Sequence, residues 1–169
     1  MRLDCMLETP RLRIRPLTTV DAPFILALLT QQSWLRFIGD RGVHDLASAE
    51  RYLLNGPIAM QMQHGFALRL VTLKESGVPI GMCGLLKRDT LPDPDLGFAL
   101  LDEYAGNGYA HEAASAVMHH ARATLGLARI LAVTAIDNTR SATLLEKLGF
   151  VFEGAIESGG ETLHLYAHR

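Results

Sequence analysis

The sequence predicts one α/β domain over residues 1–169, with a mixed β-sheet covered by helices. The first observation behind this class is size: 169 residues that are 49% hydrophobic and 20% charged suffice for one sizeable core. The second is that strand patterns and helix patterns alternate along the chain. The third is that no repeat, low-complexity tract or linker-like run divides it.

In the first half of the chain, a strand and two helices precede a hairpin. Residues 12–15 alternate apolar and charged side chains, which is typical of a half-exposed strand. Apolar residues at helical spacing indicate the helices, and the turn residues at 75–79 favour an antiparallel hairpin. The predicted elements are a strand at Leu12–Arg15, helices at Ala22–Gln32 and Leu46–Leu54 with a loop at Trp34–Val43 between them, and strands at Phe66–Leu73 and Ile80–Lys87.

In the second half, the clearest element is a helix over Tyr109–Leu125, where small apolar residues recur at helical spacing until Gly126 ends it. The run at 130–135 is continuously apolar, as in a strand from a sheet interior. The remaining predicted elements are strands at Leu96–Leu101, Phe150–Glu153 and Leu163–Ala167 and a helix at Thr139–Leu148. The predicted order is therefore β-α-α-β-β-β-α-β-α-β-β.

Charge balance and cysteine count limit the classes of function. Sixteen Lys and Arg against eighteen Asp and Glu give a net charge of -2, which argues against general nucleic-acid binding. Cys5 and Cys83 are too few for a disulfide scaffold and fit a reducing compartment. Residues 1–8 lack the apolar core of a secretory signal, and no uncharged apolar stretch is long enough to span a bilayer. We therefore expect a cytoplasmic protein with no nucleic-acid or membrane partner.

The chemically richest segment is Leu100–Glu112, where a strand runs into a glycine-bearing turn that opens the clearest helix. A helix N-terminus presents unpaired N–H groups and the positive end of a dipole, so it can hold a phosphate without a lysine. Gly106 and Gly108 would let the backbone turn sharply and approach a ligand closely. The same residues also fit an ordinary strand-to-helix connection.

Other catalytic and phosphate-binding motifs fit poorly. There is no Gly-Lys-Ser or Gly-Lys-Thr of a P-loop and no Gly-x-Ser-x-Gly of a serine hydrolase. His111 stands where a dinucleotide fingerprint needs glycine, and Ser115 stands where a zinc protease needs histidine. Cys83 lies inside a predicted strand and is interpreted as a core residue. We expect no metal site.

Three ordered segments resemble the motifs of one family. Asp95–Phe98 followed by Tyr104–Ala113 resembles the acetyl-CoA-binding motif of the GNAT superfamily of N-acetyltransferases, and Asp137–Phe150 resembles its second motif. Leu7–Leu17, with Asp21 following, is similar to the RimJ/RimL-like branch of ribosomal-protein N-terminal acetyltransferases. The resemblance implies a mostly antiparallel sheet with helices on both faces. It also implies direct acetyl transfer from acetyl-CoA to a primary amine, in a ternary complex.

The resemblance further implies which residues hold acetyl-CoA. The pyrophosphate would rest on backbone N–H groups of the glycine turn, and the pantetheine arm would contact the preceding strand and Asn138. Asn138 is equally interpreted as the N-cap of its helix. The implied binding residues are Leu100, Leu101, Gly106, Asn107, Gly108, Tyr109, Ala110, His111 and Asn138. One position departs from the family pattern, because Ala105 stands where Gln or Arg is usual.

Two residues are candidates for proton transfer. Asp95, where relatives often carry Glu, is the candidate base, although its ordinary pKa is too low unless its surroundings raise it. The alternative for Asp95 is a solvated residue at the start of a strand. Leu145 replaces a tyrosine that protonates the leaving thiolate in many members, so Ser141, one helical turn earlier on the same face, is the candidate acid. The alternative for Ser141 is a cap of its own helix turn.

The acceptor is the least determined part of the prediction. Five acids and no base lie between residues 89 and 103, which favours a cationic amine unless the run is only a solvated loop. Trp34, Phe37 and the loop Gly39–Gly42 could cap an acceptor pocket or belong to the core. The acceptor is predicted to be a small-molecule amine or a peptide, and the protein a monomer or homodimer. The alternative function is a CoA-binding sensor or partner-binding module with weak catalysis.

Overall fold

The structure, a computed structural model, describes residues 6–169; Cys5 and most of the segment used for the leader prediction lie outside the described residues. The strands are β1 Leu7–Glu8, β2 Leu12–Pro16, β3 Leu68–Leu73, β4 Pro79–Leu86, β5 Asp95–Leu100, β6 Ile130–Ala135, β7 Val151–Ser158 and β8 Glu161–His168. The helices are α1 Ala22–Thr30, α2 Gln32–Phe37, α3 Leu46–Leu53, α4 Ala59–His64, α5 Tyr109–Ala123 and α6 Thr139–Lys147. Short 3₁₀ turns lie at Thr19–Asp21 and Asp102–Tyr104, and a π-helical turn at Leu54–Ile58 joins α3 to α4.

The eight strands form one mixed sheet in the order β1-β2-β3-β4-β5-β6-β8-β7. Neighbouring strands within residues 6–169 run antiparallel except β5 and β6, which are parallel. This confirms the predicted mixed, mostly antiparallel sheet. The parallel pair follows from the connection, because α5 crosses over between β5 and β6 and returns the chain in the same direction.

The parallel pair separates almost as soon as it forms. β5 pairs with β4 from Asp95 to Leu100, but its registered partner on β6 in the described chain is the single pair Asp95–Leu131. There the Leu131 N–H donates to the Pro94 carbonyl at 2.9 Å. Beyond Asp95 the two strands diverge, which leaves an opening in the sheet that leads to the C-terminal end of β5. We call this the β5–β6 opening.

Helices pack on both faces of the sheet, as predicted. One core lies under α5 and α6 and includes Leu96, Ala114 and Leu145, all buried. The other lies under α1 to α3 and includes Ile25 and Met82. Cys83 is buried in the first core, where burial raises the pKa of its thiol to about 12.

The first helical region departs from the sequence prediction. The prediction of a single helix over residues 22–32 followed by a loop is wrong. Gln31 takes extended backbone with ψ 152°, and a second helix, α2, follows it. Trp34 therefore lies in a helix, is buried, and donates from Nε1 to the Gly39 carbonyl at 3.1 Å. The next predicted helix continues to His64 through the π-helical turn, whose wider hydrogen-bonding accommodates Pro57.

Candidate active site

The connection from β5 to α5 is a glycine turn open to solvent. After the 3₁₀ turn, Gly106 and Gly108 have φ of 80° and 81°, a conformation that glycine adopts without strain. Both glycines and Asn107 between them are exposed. A Cβ built on Gly106 would meet no other atom within 4 Å, so the space beside this backbone is free.

The N-terminus of α5 carries unpaired backbone donors. Gly108 is the N-cap residue, and no side chain in the described part of the chain caps it. The Glu112 N–H makes the first helical hydrogen bond, to the Gly108 carbonyl at 3.0 Å. The N–H groups of residues 109–111 therefore have no helical partner and lie at the positive end of the α5 dipole. The predicted set Gly106, Asn107, Gly108, Tyr109, Ala110 and His111 thus forms one continuous turn that can bind an anion.

The edge of β5 faces the opening with alternate backbone groups. The Leu101 N–H donates to the Ile80 carbonyl at 2.8 Å, so the backbone of Leu101 is directed toward β4. In an antiparallel pair the next groups point the other way, and the backbone of Leu100 and Phe98 is directed toward the opening. Of the two residues predicted here, Leu100 lies on the opening and Leu101 does not. Phe98 was missed, although strand alternation could have found it.

Gln31, which sequence reasoning also missed, fixes the end of β5. Its Nε2 donates to the Leu100 carbonyl at 2.8 Å, and its Oε1 accepts from the Asp102 N–H at 3.1 Å. Gln31 is the extended residue that separates α1 from α2. No local signal marks Gln31, since its partners are about seventy residues away in sequence.

Helix α2 lies along one side of the opening. The Ser33 hydroxyl donates to Asp102 Oδ1 at 2.6 Å, and Arg36 pairs with Asp137 in the β6–α6 connection at 3.3 Å. The Arg36 guanidinium carbon lies 4.7 Å from the centre of the Phe37 ring. Thus α2 connects the end of β5 to the connection after β6, whereas Trp34 belongs to the core.

The start of α6 carries the residues of the second motif. Asn138 is the N-cap residue, and its Oδ1 accepts from the Ser141 N–H at 3.2 Å. Both residues are half-buried. The Ser141 hydroxyl makes no hydrogen bond within the described chain, so Asn138 and not Ser141 caps this turn. Leu145, one turn later, is a fully buried core residue.

Asp95 lies at the closed end of the opening, where β5 and β6 still pair. Its carboxylate is fully buried and contacts Arg88, with Nε donating to Oδ1 at 3.1 Å and Nη2 lying 3.0 Å from Oδ2. Burial raises the pKa of Asp95, while the positive charge of Arg88 opposes this rise. The solvated interpretation of Asp95 is therefore wrong.

The acidic run does not form one free negative surface. Asp93 pairs with Arg129 at 3.2 Å, Asp95 with Arg88, and Asp102 accepts from Ser33. Asp89 and Glu103 are exposed. Within the described chain, only Asp93 and Asp95 have their charge compensated by a cation, whereas Asp89, Asp102 and Glu103 are exposed, so part of the predicted attraction for a cationic acceptor remains.

Comparison with known proteins identifies the family of this fold. Residues 11–151 match the family model of the acetyltransferase (GNAT) domain. The chain belongs to the GNAT acetyltransferase family. The GNAT assignment makes it an acyltransferase, of a family that uses acetyl-CoA and acts on amines, in agreement with the resemblance found in the sequence.

Individual relatives agree with the family. The chain is 30% identical over 153 residues to the uncharacterized N-acetyltransferase YoaA of Bacillus subtilis, covering 89% of this chain and 85% of the relative. An acetyltransferase from Agrobacterium tumefaciens has a TM-score of 0.85 at 28% identity, covering 100% and 96% of the two chains. RimL, a ribosomal alpha-N-protein acetyltransferase solved with coenzyme A, has a TM-score of 0.83 over 97% of each chain; at 17% identity it shows the GNAT fold alone. Within residues 6–169, no helix is long and apolar enough to cross a membrane.

Proposed function

We propose that this protein transfers the acetyl group of acetyl-CoA directly to the primary amine of a small molecule or a peptide N-terminus. One observation carries the proposal: the β5–β6 opening leads directly to an exposed glycine turn and an uncapped helix N-terminus. The turn offers N–H donors to a pyrophosphate, and the opening offers a free strand edge to an extended arm. Both features lie on one continuous path.

The chain fits coenzyme A in three places. The pyrophosphate would bind the N–H groups from Gly108 to His111, where the left-handed glycines leave room for it. The pantetheine amides would pair with the backbone of Phe98 and with the Leu100 N–H, since the Leu100 carbonyl already accepts from Gln31. Asn138, whose Oδ1 is already used by the helix cap, would turn its Nδ2 toward the same arm.

The transfer itself requires that a proton leave the acceptor. The amine nitrogen forms a bond to the acetyl carbon, the carbon–sulfur bond breaks, and the nitrogen loses one proton while the thiolate gains one. A backbone N–H on the free edge of β5 would stabilise the negative charge that develops on the acetyl oxygen. Ser141, whose hydroxyl makes no hydrogen bond within residues 6–169, would donate a hydrogen bond to the leaving thiolate.

We assign the proton acceptor to Asp95 because its raised pKa brings it closer to the range useful for a base. Its carboxylate has no exposed surface, so the proton must reach it through water or after Arg88 has moved. A third of the Arg88 side chain is exposed, so solvent borders the ion pair on that side. We expect Asp95→Asn to lower turnover by about 10²–10⁴-fold with nearly unchanged acetyl-CoA affinity. If turnover falls only two- or three-fold, Asp95 is a structural partner of Arg88 and not the base.

A second function has its own support. Leu145 is a core residue where many relatives carry the acid, and Asp95 is sealed by an ion pair. Both observations favour a protein that binds coenzyme A and transfers acetyl groups poorly, as a sensor would.

Turnover of acetyl-CoA over a panel of amines and peptides distinguishes the two functions. Release of free thiol that depends on one acceptor class, with calorimetric binding of acetyl-CoA, is the result expected for the enzyme. Binding without transfer to any acceptor would support the sensor, and absence of binding would contradict both.

A further inference from the structure

Arg11 reaches the glycine turn from the start of β2. Its Nη1 donates to the Asn107 carbonyl at 3.0 Å, and its Nε donates to Glu112 Oε2 at 2.7 Å. Its guanidinium carbon lies 4.4 Å from the centre of the Tyr109 ring. One side chain thus contacts the turn, the first residue of α5 and its first helical turn.

Glu112 holds Arg11 by both its backbone and its side chain. Glu112 Oε1 accepts from the Arg11 N–H at 2.9 Å and from the Thr9 hydroxyl at 2.6 Å, while Oε2 accepts from the guanidinium. These contacts fix the guanidinium beside α5. The Arg11 side chain nevertheless remains 45% exposed, so part of the guanidinium still faces solvent.

The contact with Asn107 determines where the next N–H group points. A trans peptide directs its N–H opposite to its carbonyl, so the Gly108 N–H is directed away from Arg11. In the sheet, β2 lies on the β4 side of β5, and the opening lies on the other side. The Gly108 N–H is therefore directed to the side of the turn that Arg11 does not cover.

Arg11 also brings positive charge to a turn that has none of its own. Residues 102–110 contain no basic residue, and Ala105 stands where the family resemblance implies Gln or Arg. Arg11 Nη2 lies 3.3 Å from the position that a Cβ on Gly108 would occupy. A cation that contacts the turn is thus supplied from about a hundred residues earlier in the chain.

We propose that Arg11 is a positioning residue for the phosphates of acetyl-CoA, which orients the Asn107–Gly108 peptide and supplies the positive charge that Ala105 does not. The inference rests on the proposed function, because it names a determinant of the same site. The competing interpretation is that Arg11 only joins β2 to α5. That role would affect stability without distinguishing ligands that have phosphates from ligands that lack them.

Calorimetric titration with coenzyme A and with pantetheine, which has no phosphate, tests the proposal. We expect Arg11→Gln to weaken coenzyme A binding about tenfold, the loss typical of one charge-assisted hydrogen bond, and to leave pantetheine binding unchanged. Arg11→Lys keeps the charge but loses the fork that joins Asn107 to Glu112, so its coenzyme A affinity should lie between those of the natural protein and Arg11→Gln; this variant preserves the test if Arg11→Gln does not fold. Arg13→Gln is the matched control, since Arg13 lies two residues further along, inside β2, has similar exposure and pairs with Glu8 at 3.2 Å.

Each contrary result has a distinct meaning. Equal loss of affinity for both ligands in Arg11→Gln, or a lower Tm with coenzyme A affinity unchanged, would overturn the role of Arg11 alone. A natural protein that binds no coenzyme A would overturn the proposed function and this inference together.

Discussion

The two ends of the β5–β6 opening differ in the chemical groups that line them. At the closed end, the strands are paired and a fully buried carboxylate contacts Arg88 through side-chain atoms. At the open end, the exposed turn from Gly106 to Gly108 offers backbone N–H groups and almost no side chain. The closed end therefore depends on a buried pair of side chains, whereas the turn at the open end depends on glycines that leave its backbone accessible.

The ends also differ in how their carboxylates titrate. At the closed end, burial raises the pKa of Asp95. At the open end, burial of Glu112 is outweighed by hydrogen bonds from Thr9 and Arg11, which lower its pKa. The protein thus destabilises the charged form of Asp95, where the strands join. It stabilises the charged form of Glu112, beside the turn where a ligand is proposed to bind.

The largest expected effect is loss of stability at the closed end. Arg88→Met leaves the buried carboxylate of Asp95 without its partner, and we expect the free energy of unfolding in urea to fall by about 3 kcal/mol. Arg129→Met is the matched control: its partners Asp93 and Glu153 are partly exposed, so the loss should stay below about 1 kcal/mol. Equal losses in the two variants would remove the distinction between the closed end and an ordinary surface pair.

At the open end, a side chain on Gly108 should damage binding, and a control must account for backbone strain because Gly108 has φ of 81°. Gly108→Asp places a carboxylate where the pyrophosphate is proposed to bind, and we expect calorimetry to show a loss of at least about 2 kcal/mol in acetyl-CoA binding. Gly126→Asp is the control, because Gly126 has φ of 67°, open space around it and a position past the other end of α5. Unchanged acetyl-CoA affinity in a folded Gly108→Asp protein would contradict the site.

Between the two ends, Ser141 should matter for rate and not for stability. Because its hydroxyl is proposed to stabilise the thiolate by one hydrogen bond, we expect Ser141→Ala to lower kcat by about 10–100-fold, near 1.5–3 kcal/mol, without lowering Tm. Thr143→Ala removes a hydroxyl from the same helix, one that is bonded to the Thr139 carbonyl, and should leave kcat unchanged. A lower Tm with kcat preserved would return Ser141 to a structural role.

The smallest expected effect is a pair of opposite pH dependences. The folded pKa of Asp95 lies above the ordinary 3.8, so the stability it contributes is full below pH 3.8 and is lost as pH rises through the folded pKa. The folded pKa of Glu112 lies below the ordinary 4.5, so its contribution is present above pH 4.5 and is lost as pH falls through the folded pKa.

Unfolding free energies of the natural protein, Asp95→Asn and Glu112→Gln, measured from neutral pH to about pH 3, check these signs. The stability of the natural protein relative to Asp95→Asn should decrease as pH rises. Relative to Glu112→Gln it should increase as pH rises. If both stability differences change with pH in the same direction, the opposite pKa shifts assigned to Asp95 and Glu112 are contradicted.

The sequence by itself determined the local features of this protein. The strand at Ile130–Ala135 has its predicted ends, α5 begins at the predicted Tyr109, and the glycines before it take the left-handed conformation that their position suggested. These features follow from turn chemistry and hydrophobic periodicity, which depend on residues a few positions apart. The family motifs were readable for the same reason, because each is a short continuous segment.

Only the tertiary structure decided how these segments meet. The divergence of β5 from β6, the burial of Asp95 against Arg88 and the break of the first helix at Gln31 have no local signature. Arg11 lies about a hundred residues from the turn it contacts, and Gln31 about seventy from the strand it fixes. Such contacts depend on which strands become neighbours in the sheet, and strand order is set by packing of the whole core rather than by the residues of any one segment.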